Sequence, residues 1–180
     1  MAEHGLTPEF AAGYRAMTLG GLDNEFKITA KVIKAVPEAC RDYRPDPHAR
    51  SAWDLAWHLA SADVWFLNGI ADGKFGAEES PESEKPKTIA ELVSWYETNI
   101  ARGVQRVQQV SPEQLTKPID FMGAFNFPGV FYLGFLNNHM IHHRGQLATY
   151  LRPMGSKCPS IYGGSFDEPW QGAQPQEGAA

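Results

Sequence analysis

The residues best suited to chemistry in this chain are three histidines, His58, His139 and His143. His139 and His143 stand four apart in the run Asn138-His139-Met140-Ile141-His142-His143-Arg144-Gly145-Gln146. Four residues overshoot one helical turn by about 40°, so in a helix both imidazoles project from one face. His58 falls on the apolar side of a separate helical pattern, which turns it toward the same interior. Neutral imidazoles converge favourably only when something shares their lone pairs, and a divalent ion does so. Three nitrogen ligands also leave a coordination position open, the mark of a catalytic rather than a structural metal. His142 competes for a ligand role, since three residues from His139 is also a chelating spacing. It points about 100° away from His143, toward Asn138 and Thr149, and reads as facing solvent or a neighbouring surface. His4 and His48 lie in a tail and a proline-rich loop.

The bulk composition limits what such a site serves. At 180 residues the chain reads as one domain, 1–180, large enough to bury a core without disulfides. A net charge of −5 with no Lys/Arg cluster argues against a nucleic-acid surface, which needs concentrated positive charge. No stretch approaches the roughly 20 apolar residues of a membrane span, and Met1-Ala2-Glu3-His4-Gly5 lacks a signal peptide's basic start and apolar core. The expectation is a cytoplasmic protein acting on a small molecule, with no nucleic acid and no membrane as partner. Cys40 and Cys158 form neither a CxxC pair nor a framework, and read as free thiols.

Breakers and caps place four long helical segments. Leu22, Phe26, Thr29, Ile33 and Val36 give a first helix over about 19–36 that Pro37 ends, preceded by a short helix that Thr7-Pro8 starts and that runs through Tyr14. A second begins at Ser51, with Asp54 completing a capping-box-like pattern, and runs to about Ile70. A third opens at Thr88 with Glu91 three later and reaches about Val110, and Ser111–Leu115 makes a single turn. The fourth takes Gly129 to about Arg152, stopped by Pro153. Segment 71–87 reads as a long polar loop, and 116–128 as an aromatic loop packed on the bundle end. From Met154 onward the chain reads as coil, with 171–180 disordered. Amphipathic helices without a convincing strand pattern give an all-α four-helix bundle with short extra helical turns.

The fourth helix turns Tyr132, Phe135, His139, His143, Gln146 and Tyr150 to one face, where an ordinary bundle carries leucine. Asp54, one turn before His58, suits either an orienting carboxylate or simply a cap. Gln146, one turn beyond His143, suits a ligand or substrate bond. Arg144 points off the ligand face and suits an ion pair. Tyr132 and Tyr162 offer phenols that either approach the open position or pack.

The pattern Trp57-His58-Leu59-Ala60, followed by His139-x-x-x-His143-Arg144-Gly145-Gln146, resembles the DinB/YfiT-like superfamily of metal-binding bundles. The likeness extends from Arg44-Pro45-Asp46-Pro47 to Leu151-Arg152-Pro153-Met154-Gly155 and Pro159-Ser160-Ile161-Tyr162-Gly163. The resemblance implies that His58, His139 and His143 ligate a divalent metal, commonly zinc or nickel, in an up-down-down-up bundle that is often a homodimer. Some relatives transfer or isomerise with a low-molecular-weight thiol cosubstrate. A hydrolase wants a carboxylate base beside the metal water, and His139-Met140-Ile141-His142-His143 contains no Glu. The leading expectation is therefore a thiol S-transferase-like metalloenzyme, with segments 71–87 and 116–128 shaping the electrophile pocket. A metal-dependent hydrolase and a noncatalytic metal- or ligand-binding module in stress or detoxification remain as rivals.

Overall fold

A computed structural model describes residues 6–76 and 85–170. Its elements in chain order are α1 (Pro8–Lys34), a 3-10 turn (Glu38–Cys40), α2 (Ala52–Asp72), α3 (Ile89–Gln109), α4 (Pro112–Leu115), β1 (Pro118–Phe121), β2 (Phe125–Pro128), a 3-10 turn (Gly129–Phe131) and α5 (Tyr132–Leu151). The four long helices close a ring in which α1 and α2 each pack against both α3 and α5. The protein is an all-α helical bundle with one two-stranded hairpin at its side.

Local chemistry sets the helix ends. The Thr7 hydroxyl accepts from the Phe10 amide at 3.2 Å and Pro8 occupies the first turn, where its missing N–H costs nothing. Ser51 caps α2, accepting from the Asp54 amide at 3.0 Å, and Gly73 ends it in the left-handed region at φ 68°. Thr88 and Glu91 form a reciprocal capping box on α3.

Two parts of the chain depart from the sequence expectation. The separate leading helix is instead the first turns of one 27-residue α1. Nothing between Tyr14 and Leu19 breaks a helix, and a gap in apolar periodicity only turns that stretch toward solvent. The Arg15 guanidinium anchors it, donating to the Val107 carbonyl at 3.3 Å and to the Val110 carbonyl at the end of α3. Segment 116–128 is not wholly a loop, since β1 and β2 pair antiparallel with Ile119 opposite Phe127. Four-residue strands are too short for alternation to register, and the turn rests on Met122 and Gly123 at φ 51° and 74°. The Asp120 carboxylate accepts from the Gly123 amide at 3.0 Å and steadies that turn.

The core collects Leu22, Phe26 and Ile33 from α1, Leu55, Leu59 and Leu67 from α2, Leu92 and Val107 from α3, and Leu133, Leu136 and Leu147 from α5. Every residue from Leu59 to Leu67 on α2 is buried, so this helix is wrapped rather than merely faced. Gly103 lets α3 approach it closely, because a Cβ there would sit 2.9 Å from the Leu67 side chain. One charged pair crosses the interior. Arg144, 1% exposed, meets Glu25 at 2.6 Å and also donates to the Glu25 carbonyl and the Thr29 hydroxyl. No helix is long and apolar enough to cross a membrane among the described residues. The expected disorder of 171–180, residues 77–84 of the polar loop over 71–87, and His4 lie outside the described residues.

Replacing Glu25 with Ala would leave the Arg144 guanidinium buried without its counter-charge. The expected outcome is a loss of about 3 kcal/mol of unfolding free energy in urea titrations of metal-free protein. A loss below about 0.5 kcal/mol would show that the pair contributes nothing net.

Candidate metal centre

α2 and α5 pack side by side, and their contact carries the three histidines. His58 Nε2 lies 3.2 Å from His139 Nε2 and 3.3 Å from His143 Nε2. The rings meet edge to face, with centroids 4.4 to 5.0 Å apart. All three are partly buried and offer ligand atoms within 4.8 Å of one another.

The spacing and donor types fit a metal ion. Metal–nitrogen bonds of about 2.0–2.1 Å directed to tetrahedral corners set the nitrogens roughly 3.3 Å apart. His58 Nε2 stands at that separation from both of the other two ring nitrogens. His143 is held neutral, its pKa pushed down from 6.5 to about 4. Burial is the main cause, the bond to Gln146 opposes it, and the nearby His139, His58 and His142 add to it. A neutral imidazole is the form that binds a metal.

Gln146 fixes which nitrogen of His143 carries the proton. Its Oε1 lies 2.8 Å from His143 Nδ1, so Nδ1–H donates and the Nε2 lone pair is left for the shared centre. This is the ligand-orienting bond foreseen as one option for Gln146.

A second orienting group escaped the sequence reading. Asp63, fully buried one turn past His58 on α2, places Oδ1 3.9 Å from His139 Nδ1. Its other oxygen accepts from the Tyr96 hydroxyl at 2.8 Å, while Oδ1 makes no hydrogen bond among the described residues. Burial raises the pKa of this carboxyl well above the usual value, against the Tyr96 bond and the charges of Arg144 and His58. The signal was present in the sequence: one acid interrupts the run Leu59-Ala60-Ser61-Ala62-Asp63-Val64-Trp65-Phe66-Leu67. A lone carboxylate inside a wrapped helix must have a polar purpose.

The remaining candidates are engaged elsewhere. Asp54 serves the cap of α2, accepting from the Ser51 hydroxyl at 2.7 Å and pairing with Arg44 at 3.3 Å and Lys85 at 3.9 Å. The Tyr132 hydroxyl donates to the Ile119 carbonyl at 2.7 Å, tying the hairpin to α5. Tyr162 donates to Glu25 at 2.9 Å and accepts from Arg144 at 2.6 Å, so it pins the C-terminal coil to the buried ion pair. Arg144 thus pairs with a carboxylate, as its direction on the helix indicated. His142 is exposed, with its ring 4.8 Å from that of His143.

The hairpin adds an aromatic wall beside the histidines. Phe66 lies 5.8 Å from the His139 ring and stacks 5.9 Å from Phe121, which stacks in turn on Phe125. Phe125 also stacks 5.3 Å from Phe135, one turn before His139. These rings set apolar surface from segment 116–128 beside the histidines.

A family model described as the DinB family matches residues 22–177. Among curated proteins, the chain is 27% identical over 130 residues to the uncharacterized protein YjoA of Bacillus subtilis, covering 71% of this chain and 82% of that one. It is 30% identical over 116 residues to the uncharacterized protein YrdA of the same organism, covering 63% of this chain and 67% of the relative. Among solved structures, it superposes on a DinB-like protein from Bacillus cereus with TM-score 0.68 and 25% identity, over 81% of this chain and 95% of that one. The crystal structure of YjoA gives TM-score 0.67 at 23% identity, over 83% and 97%, and speaks for the fold alone.

The depressed pKa of His143 carries a sign for stability. The unfolded chain takes up a proton here near pH 6.5 while the folded chain resists until about pH 4. Metal-free protein therefore loses stability as pH falls through that window, visible as a falling Tm. In His143→Gln that part of the slope should vanish, and an unchanged slope would contradict the assignment.

Proposed function

The chain belongs to the DinB family, and from that premise we propose that His58, His139 and His143 hold a catalytic divalent metal, zinc or nickel, in a small-molecule thiol S-transferase. The single observation that carries the reading is the convergence of three Nε2 atoms at 3.2 and 3.3 Å. A divalent ion held by three imidazoles supplies Lewis acidity at its open position, where a thiol loses its proton at neutral pH.

The protein's own groups then divide the remaining work. The Gln146 carbonyl holds His143 in the Nδ1–H tautomer, and Asp63 places a carboxyl oxygen 3.9 Å from the outer nitrogen of His139, near enough to bias its orientation by charge. In the transfer itself the sulfur forms a bond to an electrophilic carbon, and the leaving group departs with its electron pair. The thiol proton passes to solvent. The apolar rings of Phe66, Phe121 and Phe125 on that flank suit an apolar electrophile and favour sulfur over hydroxide as the nucleophile.

Hydrolysis remains the second reading, and Asp63 is the observation that bears on it. A general base must reach the water it activates. Asp63 is instead on the outer side of His139 and bonded to Tyr96. That placement supports orientation over base catalysis and favours transfer. Pairing with a second copy belongs to the same proposal. Phe10 and Met17 on α1, Phe131 and Phe135 near the start of α5 are all exposed, and Tyr14 joins the two helices by contacts to Phe10 and Phe131. A homodimer would cover them.

Four outcomes test this reading. Purified without a chelating tag, the protein should hold about one divalent ion per chain, and His143→Ala should weaken it by more than the 10–100-fold typical of an outer-shell change. Asp63→Asn should fall within that 10–100-fold range in competition with a chromogenic chelator. Undiminished occupancy in either variant removes that residue from the centre. Metal-loaded protein should conjugate a thiol to a general electrophile such as 1-chloro-2,4-dinitrobenzene, and lose that activity on chelation. Conjugation at an equal rate after chelation would end the transferase proposal. Sedimentation should give twice the chain mass, reduced to one chain by Phe131→Asp.

A further inference from the structure

A cavity of about 430 Å³ opens directly against His143, on the side of the centre away from the aromatic wall's hairpin. Leu55 and Ala49 give it an apolar floor, and Gln146, Thr149 and Tyr150 give it a polar side. Arg50 is the one charged residue among those lining it. We infer that this cavity is the subsite for a carboxylate, held by Arg50, on the small molecule whose other end takes the open position of the metal.

The surroundings leave Arg50 available and well placed. Its guanidinium makes no hydrogen bond or ion pair among the described residues. The nearest acid on the same stretch, Asp54, is already taken by Arg44, Lys85 and the Ser51 hydroxyl. Arg44 also donates to the Ala49 carbonyl at 2.6 Å, and the Tyr150 hydroxyl donates to the Arg50 carbonyl at 3.5 Å. Backbone bonds from Ala52 to the Tyr43 carbonyl and from Trp53 to the Arg41 carbonyl, 2.9 and 2.8 Å, fasten the segment to the start of α2. The backbone that carries Arg50 is therefore fixed beside the cavity.

The chemistry selects the anion. A single guanidinium presents paired donors that match the two oxygens of a carboxylate, whereas a phosphate dianion calls for more than one cation. Because His143 both ligates and lines the cavity, a molecule lying there reaches from Arg50 to the ion across one imidazole. Gln146 faces both, holding His143 and offering its amide to the ligand.

The inference rests on the metal reading above, and the test separates the two. Cobalt(II)-loaded protein is titrated with 3-mercaptopropionate and with 2-mercaptoethanol while the cobalt absorption is followed. Wild-type protein should bind the mercapto acid roughly tenfold more tightly than the neutral thiol. Arg50→Met should bind the mercapto acid roughly tenfold more weakly than wild type does, with 2-mercaptoethanol binding unchanged, and Arg50→Lys should restore part of the loss. Chelation by the mercapto acid itself is common to all variants and cancels in the comparison. Equal affinities in wild type, or a preference in Arg50→Met as large as in wild type, overturn the subsite. If neither thiol alters the cobalt spectrum, the thiol reading fails, and glutarate binding by calorimetry decides the subsite alone. Glutarate must then bind wild type at least about tenfold more tightly than Arg50→Met, and equal or absent binding overturns it.

Discussion

Everything in this bundle turns on the cost of holding three imidazole nitrogens within 4.8 Å of one another, with His58 Nε2 3.2 and 3.3 Å from the other two. In the half-buried seam between α2 and α5, charging His143 is unfavourable. Burial and mutual repulsion hold His143 neutral down to about pH 4. The arrangement becomes favourable when a cation takes the shared position, so part of the metal-binding free energy offsets strain already built into the fold.

That constraint explains the polar groups that the apolar core tolerates. Asp63 on a helix buried from Leu59 through Leu67 would be a costly intruder without its neighbours. With Tyr96 donating to one oxygen and His139 facing the other, it belongs to a short buried chain that begins at the metal centre. A second buried group, Arg144 with Glu25, Thr29 and Tyr162, lies on the far side of the same helix α5 and closes the C-terminal coil over α1. One network aims the ligands; the other holds the helix that carries two of them.

Around the centre the molecule is asymmetric. The hairpin brings Phe121 and Phe125 to one flank, and the connector before α2 brings Arg50 to another. One flank of the histidine cluster is therefore apolar and the other carries a positive charge.

The pairing of His139 with His143 on one helix face and the helical class were legible in the sequence because both depend on local spacing, whereas the approach of His58 to that pair depends on how α2 meets α5. A four-residue interval in a helix puts His139 and His143 on one face, a capping box starts α3 at Thr88, and Pro153 fixes where α5 gives way. What the linear pattern does not hold is distance between segments far apart in the chain. The place of Asp63 against His139, of Tyr96 against Asp63, and of Arg50 against His143 is set by which helices neighbour each other in the ring. The continuity of α1 and the hairpin at 118–128 were likewise decided in three dimensions. A gap in apolar periodicity is silent until a neighbour such as Arg15 bridges it, and four-residue strands gain their stability from packing on Phe66 and Tyr132 rather than from their own alternation.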